Sequence, residues 1–75
     1  MPEVPLLRPS QEVKAFERLG WEVARRRGSH VILVRRGHAA TLSLPQHAEV
    51  ARGTLRGLIQ KAGISLAEFL DALGE

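Results

Sequence analysis

Seventy-five residues, 44% of them apolar and none of them cysteine, make one small domain and exclude disulfides and thiolate metal sites. A domain of this size buries roughly 60% of its unfolded surface, so a stability of about 5 kcal/mol is expected. The net charge is only +3, no apolar run reaches the ~18 residues of a membrane span, and the start MPEVPLLRPS lacks the order of a secretory signal; a cytoplasmic chain without a membrane partner is expected.

Residues 1–9 hold three of the four prolines and read as an extended arm, leaving residues 10–75 as a single domain. Ser10 is placed to N-cap a helix over Gln11 to Leu19, with Glu12 in its first turn. Val13, Phe16 and Leu19 recur three apart on one side, and Gly20 suits a left-handed stop. From Trp21 to Arg26 the pattern becomes that of a strand, with Trp21 and Val23 on one face and Glu22 on the other. Gly28 marks a turn.

A second strand runs from Ser29 to Arg36, with Val31 and Leu33 pointing one way and His30, Ile32 and Val34 the other. Arg36 and Gly37 predict a tight reversal, leaving His38 exposed and incidental. In the third strand Ala40, Leu42 and Leu44 alternate with Thr41 and Ser43, and Pro45 ends it. A helix begins near Gly53 and Thr54 and carries Leu55, Leu58, Ile59 and Ala62 as an apolar stripe before Gly63. Ser65 and Glu68 form a capping box for a short last helix bearing Leu66, Phe69, Leu70 and Leu73. Consecutive strands with short connections pair antiparallel. The expected fold is α+β: helix 1, a three-stranded antiparallel sheet, helix 2 and short helix 3, with helices on one face and the other face open.

Charge is distributed unevenly. Residues 25–61 carry eight basic groups (Arg25, Arg26, Arg27, Arg35, Arg36, Arg52, Arg56, Lys61) against one acid, Glu49. The segments on either side are net acidic. A basic middle suits a phosphate backbone, as it also suits an ordinary solvated surface. His30 follows Arg25, Arg26, Arg27, Gly28 and Ser29 at the mouth of an apolar strand. It is either a core histidine or a proton-transfer group at a sheet edge. RNA cleavage without a metal needs one group to deprotonate a 2′-hydroxyl and cations to stabilise the phosphorus oxygens, and His30 with its arginines supplies both. Such acid–base assistance is worth about 10²–10⁴-fold.

His47, past the third strand, is either a second proton donor or a loop-packing residue. Thr54 at a helix start, between Arg52 and Arg56, is either a phosphate site or a plain cap. The three histidines lie eight and nine residues apart, which matches no common zinc spacing, so neither metal nor cofactor is expected. On the residues alone, three functions compete. One is a ribonuclease. Another is a non-catalytic RNA-binding domain in which His30 touches a 2′-hydroxyl or phosphate. The third is an interaction module meeting an acidic protein.

The motif order adds a further expectation. Leu19-Gly20-Trp21-Glu22-Val23, Arg27-Gly28-Ser29-His30-Val31-Ile32-Leu33, Leu44-Pro45-Gln46-His47, Arg52-Gly53-Thr54-Leu55-Arg56-Gly57-Leu58-Ile59 and Ala62-Gly63-Ile64-Ser65 with Glu68-Phe69-Leu70 resemble the HicA toxins over about residues 10–73. The resemblance implies a double-stranded-RNA-binding-domain-like fold and an mRNA interferase neutralised by a HicB-type antitoxin. It implies that His30 is the catalytic residue. The expected RNA contacts are then Arg25, Arg26, Arg27, Ser29, Arg52, Thr54 and Arg56, with His47 a possible auxiliary. An antitoxin docking on the open face would cover Ile32 and Val34 together with His30.

Overall fold

A computed structural model describes residues 6–46 and 50–74. The elements are α1 (Pro9–Arg18), β1 (Glu22–Arg27), β2 (His30–Val34), β3 (Leu42–Pro45), α2 (Arg52–Ala62) and α3 (Leu66–Gly74). The strands form one antiparallel sheet in the order β1-β2-β3. This is the expected α+β arrangement. Of the proline-rich arm, residues 1–5 lie outside the described residues. Leu7 is buried and pairs with Val50 across an isolated antiparallel bridge, which ties the arm to the segment entering α2.

Helix α1 starts earlier than expected. Its N-cap is Arg8, in extended conformation, and not Ser10. Pro9 takes the first helical position, where its missing N–H is not needed and its φ is already helical. Gln11 Oε1 accepts the Arg8 N–H at 2.9 Å, closing half of a capping box. The other end is a Schellman turn. Gly20 adopts φ 99°, its N–H donates to Glu17 O, and the Trp21 N–H reaches back to Phe16 O, both at 3.0 Å. The apolar contact that accompanies this turn is present, with the Phe16 and Trp21 rings 6.5 Å apart and edge to face. Gly63 closes α2 in the same way at φ 74°, with Gly63 N–H on Gln60 O and Ile64 N–H on Ile59 O.

The capping box predicted for α3 forms in full. Ser65 N–H donates to Glu68 Oε1 at 2.8 Å, and Glu68 N–H donates to Ser65 Oγ at 3.0 Å. Ser65→Ala is expected to cost about 1 kcal/mol. For a domain of this size that lowers Tm by roughly 4–8 °C, which a thermal melt would resolve. An unchanged melt would mean that the box contributes nothing. Helix α3 docks on α1 through Phe16 and Phe69, whose ring centroids are 5.1 Å apart, and through Arg18 Nη1, which donates to Ala72 O at 2.7 Å.

Period-two alternation sorts the sheet's faces. Val31, Leu33, Leu42 and Leu44 are buried under Ala15 and Phe16 of α1, Leu55, Leu58, Ile59 and Ala62 of α2, and Phe69 of α3. All three helices therefore contribute to one core, on one side of the sheet. Trp21 is buried just ahead of β1, whereas Val23, opposite Leu33, stays 39% exposed because β1 is an edge strand.

The tight turn expected at Arg36 and Gly37 is present, with the His38 N–H donating to Arg35 O at 3.0 Å and Gly37 at φ 80°, but the whole reversal between β2 and β3 is longer. It spans residues 35–41, and Ala40 and Thr41 fall outside β3. His38 explains the longer path. It is half-buried, not exposed; its ring lies 5.0 Å from that of Trp21, and its Nδ1 accepts the Ala40 N–H at 3.2 Å. The loop is pegged to the core by this ring.

Glu12 is a second departure. It is fully buried on α1, and neither carboxylate oxygen has a hydrogen-bond partner among the described residues. Burial pushes its carboxyl up from the ordinary 4.5 to about 7.

Candidate active site

The hairpin that presents His30 has a two-residue turn, Gly28 and Ser29, because Arg27 pairs with His30. Gly28 has φ 60° and Ser29 does not share the positive sign, the φ signature of a II′ turn, where glycine leads. The Ser29 carbonyl accepts the Gln46 N–H at 2.7 Å, which extends the β2–β3 pairing past the turn. Gln46 also turns its side-chain amide back onto the carbonyls of Leu44 and Pro45, at 3.2 and 3.3 Å. His30 therefore sits where three strands are held together, not on a free loop.

Side chains of residues paired across an antiparallel sheet share a face. Arg27, His30 and Pro45 are in one row, Arg25, Ile32 and Ser43 in the next, and Glu22 and Val34 in a third. These residues form the open face. The sequence-based placement of Ile32 and Val34 beside His30 is what the register shows. His30 is half-exposed on this face. Its Nδ1 lies 2.9 Å from Ser43 Oγ, so one ring nitrogen is engaged by the neighbouring strand. Reasoning from sequence does not single out Ser43. The alternation Leu42, Ser43, Leu44 places it on the open face, but its reach to His30 depends on which β3 residue stands opposite Ile32.

A bulge decides which arginines join them. The register between β1 and β2 shifts between Val23 and Arg25, leaving Ala24 as the extra residue. Continued without the shift, pairing from Val23 and Leu33 would set Ala24 opposite Ile32 and Arg26 opposite His30. With it, Arg25 and Arg27 occupy those places, so two guanidiniums replace one on the face of the imidazole. Bulges commonly re-aim side chains in this manner. Arg26 instead pairs with Val31 on the opposite face, although it is exposed at the sheet edge.

The remaining candidates lie elsewhere. Arg52, Thr54 and Arg56 are exposed residues of α2, in the helical layer, and do not share the His30 face. The helix starts at Arg52 with Ala51 as its N-cap, so Thr54 is the third residue of the helix and not its cap. Ser29 is exposed in the hairpin turn. His47 lies outside the described residues. Among the described residues no three metal-ligating side chains gather, and no helix is long and apolar enough to cross a membrane.

Fold and site together define a small α+β domain that covers one face of a three-stranded sheet and leaves the other to a histidine among cations. The chain belongs to the HicA toxins of bacterial toxin–antitoxin systems: the family's model matches residues 10–64, from the start of α1 to just past α2. No curated protein matches the chain.

Proposed function

We propose that this toxin is an endoribonuclease, an mRNA interferase that acts in the cytoplasm with His30 as its catalytic residue. The observation that supports this most is the His30 imidazole itself. It is reachable from solvent, steadied by Ser43, and in the same two rows as Arg25 and Arg27. A neutral imidazole on that face takes the proton of a ribose 2′-hydroxyl. The oxygen attacks the adjacent phosphorus, the bond to the 5′-oxygen breaks, and that oxygen leaves with a proton from solvent or from an auxiliary acid such as His47. The products are a 2′,3′-cyclic phosphate and a 5′-hydroxyl. Arg25 and Arg27 offset the charge that builds on the phosphoryl oxygens. Arg26, Ser29, Arg52, Thr54 and Arg56 are further RNA contacts, with Arg52 and Thr54 in the first turn of α2, where the helix dipole favours a phosphate.

The reaction as written uses no metal or cofactor. Cleavage of RNA by the purified protein that survives EDTA is the expected result. Cleavage that stops with EDTA would count against the route.

The antitoxin is the second partner in this reading, a HicB-type protein that covers the open face. Ile32 and Val34 are half-buried there and give a partner apolar surface next to the catalytic ring. Changing both to serine is expected to weaken the toxin–antitoxin complex by roughly tenfold or more, through lost apolar burial of about 1–3 kcal/mol. Thermal stability of the isolated toxin should fall less. Equal affinity for variant and wild type in a titration calorimeter would move the docking surface elsewhere.

A further inference from the structure

The contact between His30 and Ser43 carries a prediction about the ring itself. We infer that Ser43 is a positioning residue: its hydroxyl accepts the His30 Nδ1–H and so holds the lone pair of the neutral imidazole on Nε2, the nitrogen left for substrate. This rests on the reading of His30 as the general base.

The geometry limits the choices. The Nδ1 to Oγ distance is 2.9 Å, an ordinary hydrogen bond. A serine hydroxyl can donate or accept, so two arrangements satisfy the distance. If the hydroxyl donated, Nδ1 would hold the lone pair and Nε2 the proton, and the nitrogen away from β3 could not take a proton from a ribose. If Nδ1 donates, Nε2 is the base. Only this second arrangement also survives the reaction. Once Nε2 has been protonated the ring is an imidazolium with N–H on both sides, and the Nδ1–H bond to Ser43 stays intact throughout. No reorientation is needed as charge develops, which is the condition under which a fixed dipole assists most.

The two strands supply the rigidity. Ser43 pairs with Ile32, and His30 pairs with Pro45, so donor and acceptor sit on adjacent rows of the same ladder. The serine is exposed, and its hydroxyl lies in hydrogen-bonding contact with His30.

The test compares wild type, Ser43→Ala, Ser43→Thr and His30→Ala in two measurements on the full chain. Imidazole 15N NMR without RNA reads the tautomer. Wild type and Ser43→Thr are expected to hold the proton on Nδ1, and Ser43→Ala to shift toward the Nε2–H form. Cleavage of a synthetic mixed-sequence RNA reads the consequence. Ser43→Ala is expected to lower kcat by about tenfold with KM little changed, the size of one orienting hydrogen bond. Threonine should restore the rate, since it keeps the hydroxyl and suits a strand. An Nε2–H tautomer in wild type would overturn the inference, as would wild-type kcat in Ser43→Ala. If His30→Ala also cleaves normally, the reading of the site as a whole fails. If His30→Ala is dead while Ser43→Ala is fully active, only the positioning role fails.

Discussion

His30→Ala is expected to reduce RNA cleavage by about 10²–10⁴-fold, equivalent to roughly 3–5.5 kcal/mol of barrier. RNA affinity should survive, because the arginines remain. Stability should stay within about 1 kcal/mol of wild type, since the ring is half-exposed and loses one hydrogen bond, to Ser43. The checks are single-turnover cleavage, a salt-dependent binding curve and a thermal melt on the same preparation. A purified variant that cuts at the wild-type rate removes His30 from the chemistry. If wild type binds RNA in a salt-sensitive way but produces no new ends, the domain is a non-catalytic RNA binder.

The second large effect concerns stability. Glu12 is fully buried with no partner for either oxygen among the described residues, and its carboxyl is raised from 4.5 to about 7. The folded state thus holds this proton more tightly than the unfolded chain does. The sign follows from linkage: the stabilisation is complete below about pH 4.5 and is lost as pH rises through 7. At pH 8 the group costs about 3 kcal/mol relative to pH 4.5, order of magnitude, out of a total near 5. Glu12→Gln keeps the shape without the charge. It should therefore be more stable than wild type at pH 8, by up to about 3 kcal/mol, and close to it at pH 5. Urea melts of both proteins at the two pH values measure this. The same stability difference at pH 5 and pH 8 would mean that Glu12 is solvated or paired in solution.

Local chemistry was readable directly from the chain. Gly20 and Gly63 stop their helices with the hydrogen bonds that glycine stops make, and Ser65 with Glu68 forms the cap that its spacing announces. The alternation through His30, Ile32 and Val34 assigned the open face correctly, because β2 is regular. What escaped depends on contacts between distant residues. The Ala24 bulge exists only as a mismatch between two strands, and nothing in Val23-Ala24-Arg25 shows it. His38 looked incidental at a tight turn because the ring of Trp21, seventeen positions earlier, is what holds it. Glu12 fits the first turn of any helix, and nothing in the residues around it in the chain announces its burial. The early start of α1 was a local miss: Ser10 competes with Pro9, and the proline's preset φ prevails.

The two-residue turn leaves the first hairpin no slack. An added or missing residue between Arg25 and His30 could not be absorbed there without reversing the parity of that stretch and exchanging which cations look outward. The number of residues in that short spacer is thus a stricter requirement than the identity of any one of them. A lineage could swap arginine for lysine along it more easily than it could change its length by one.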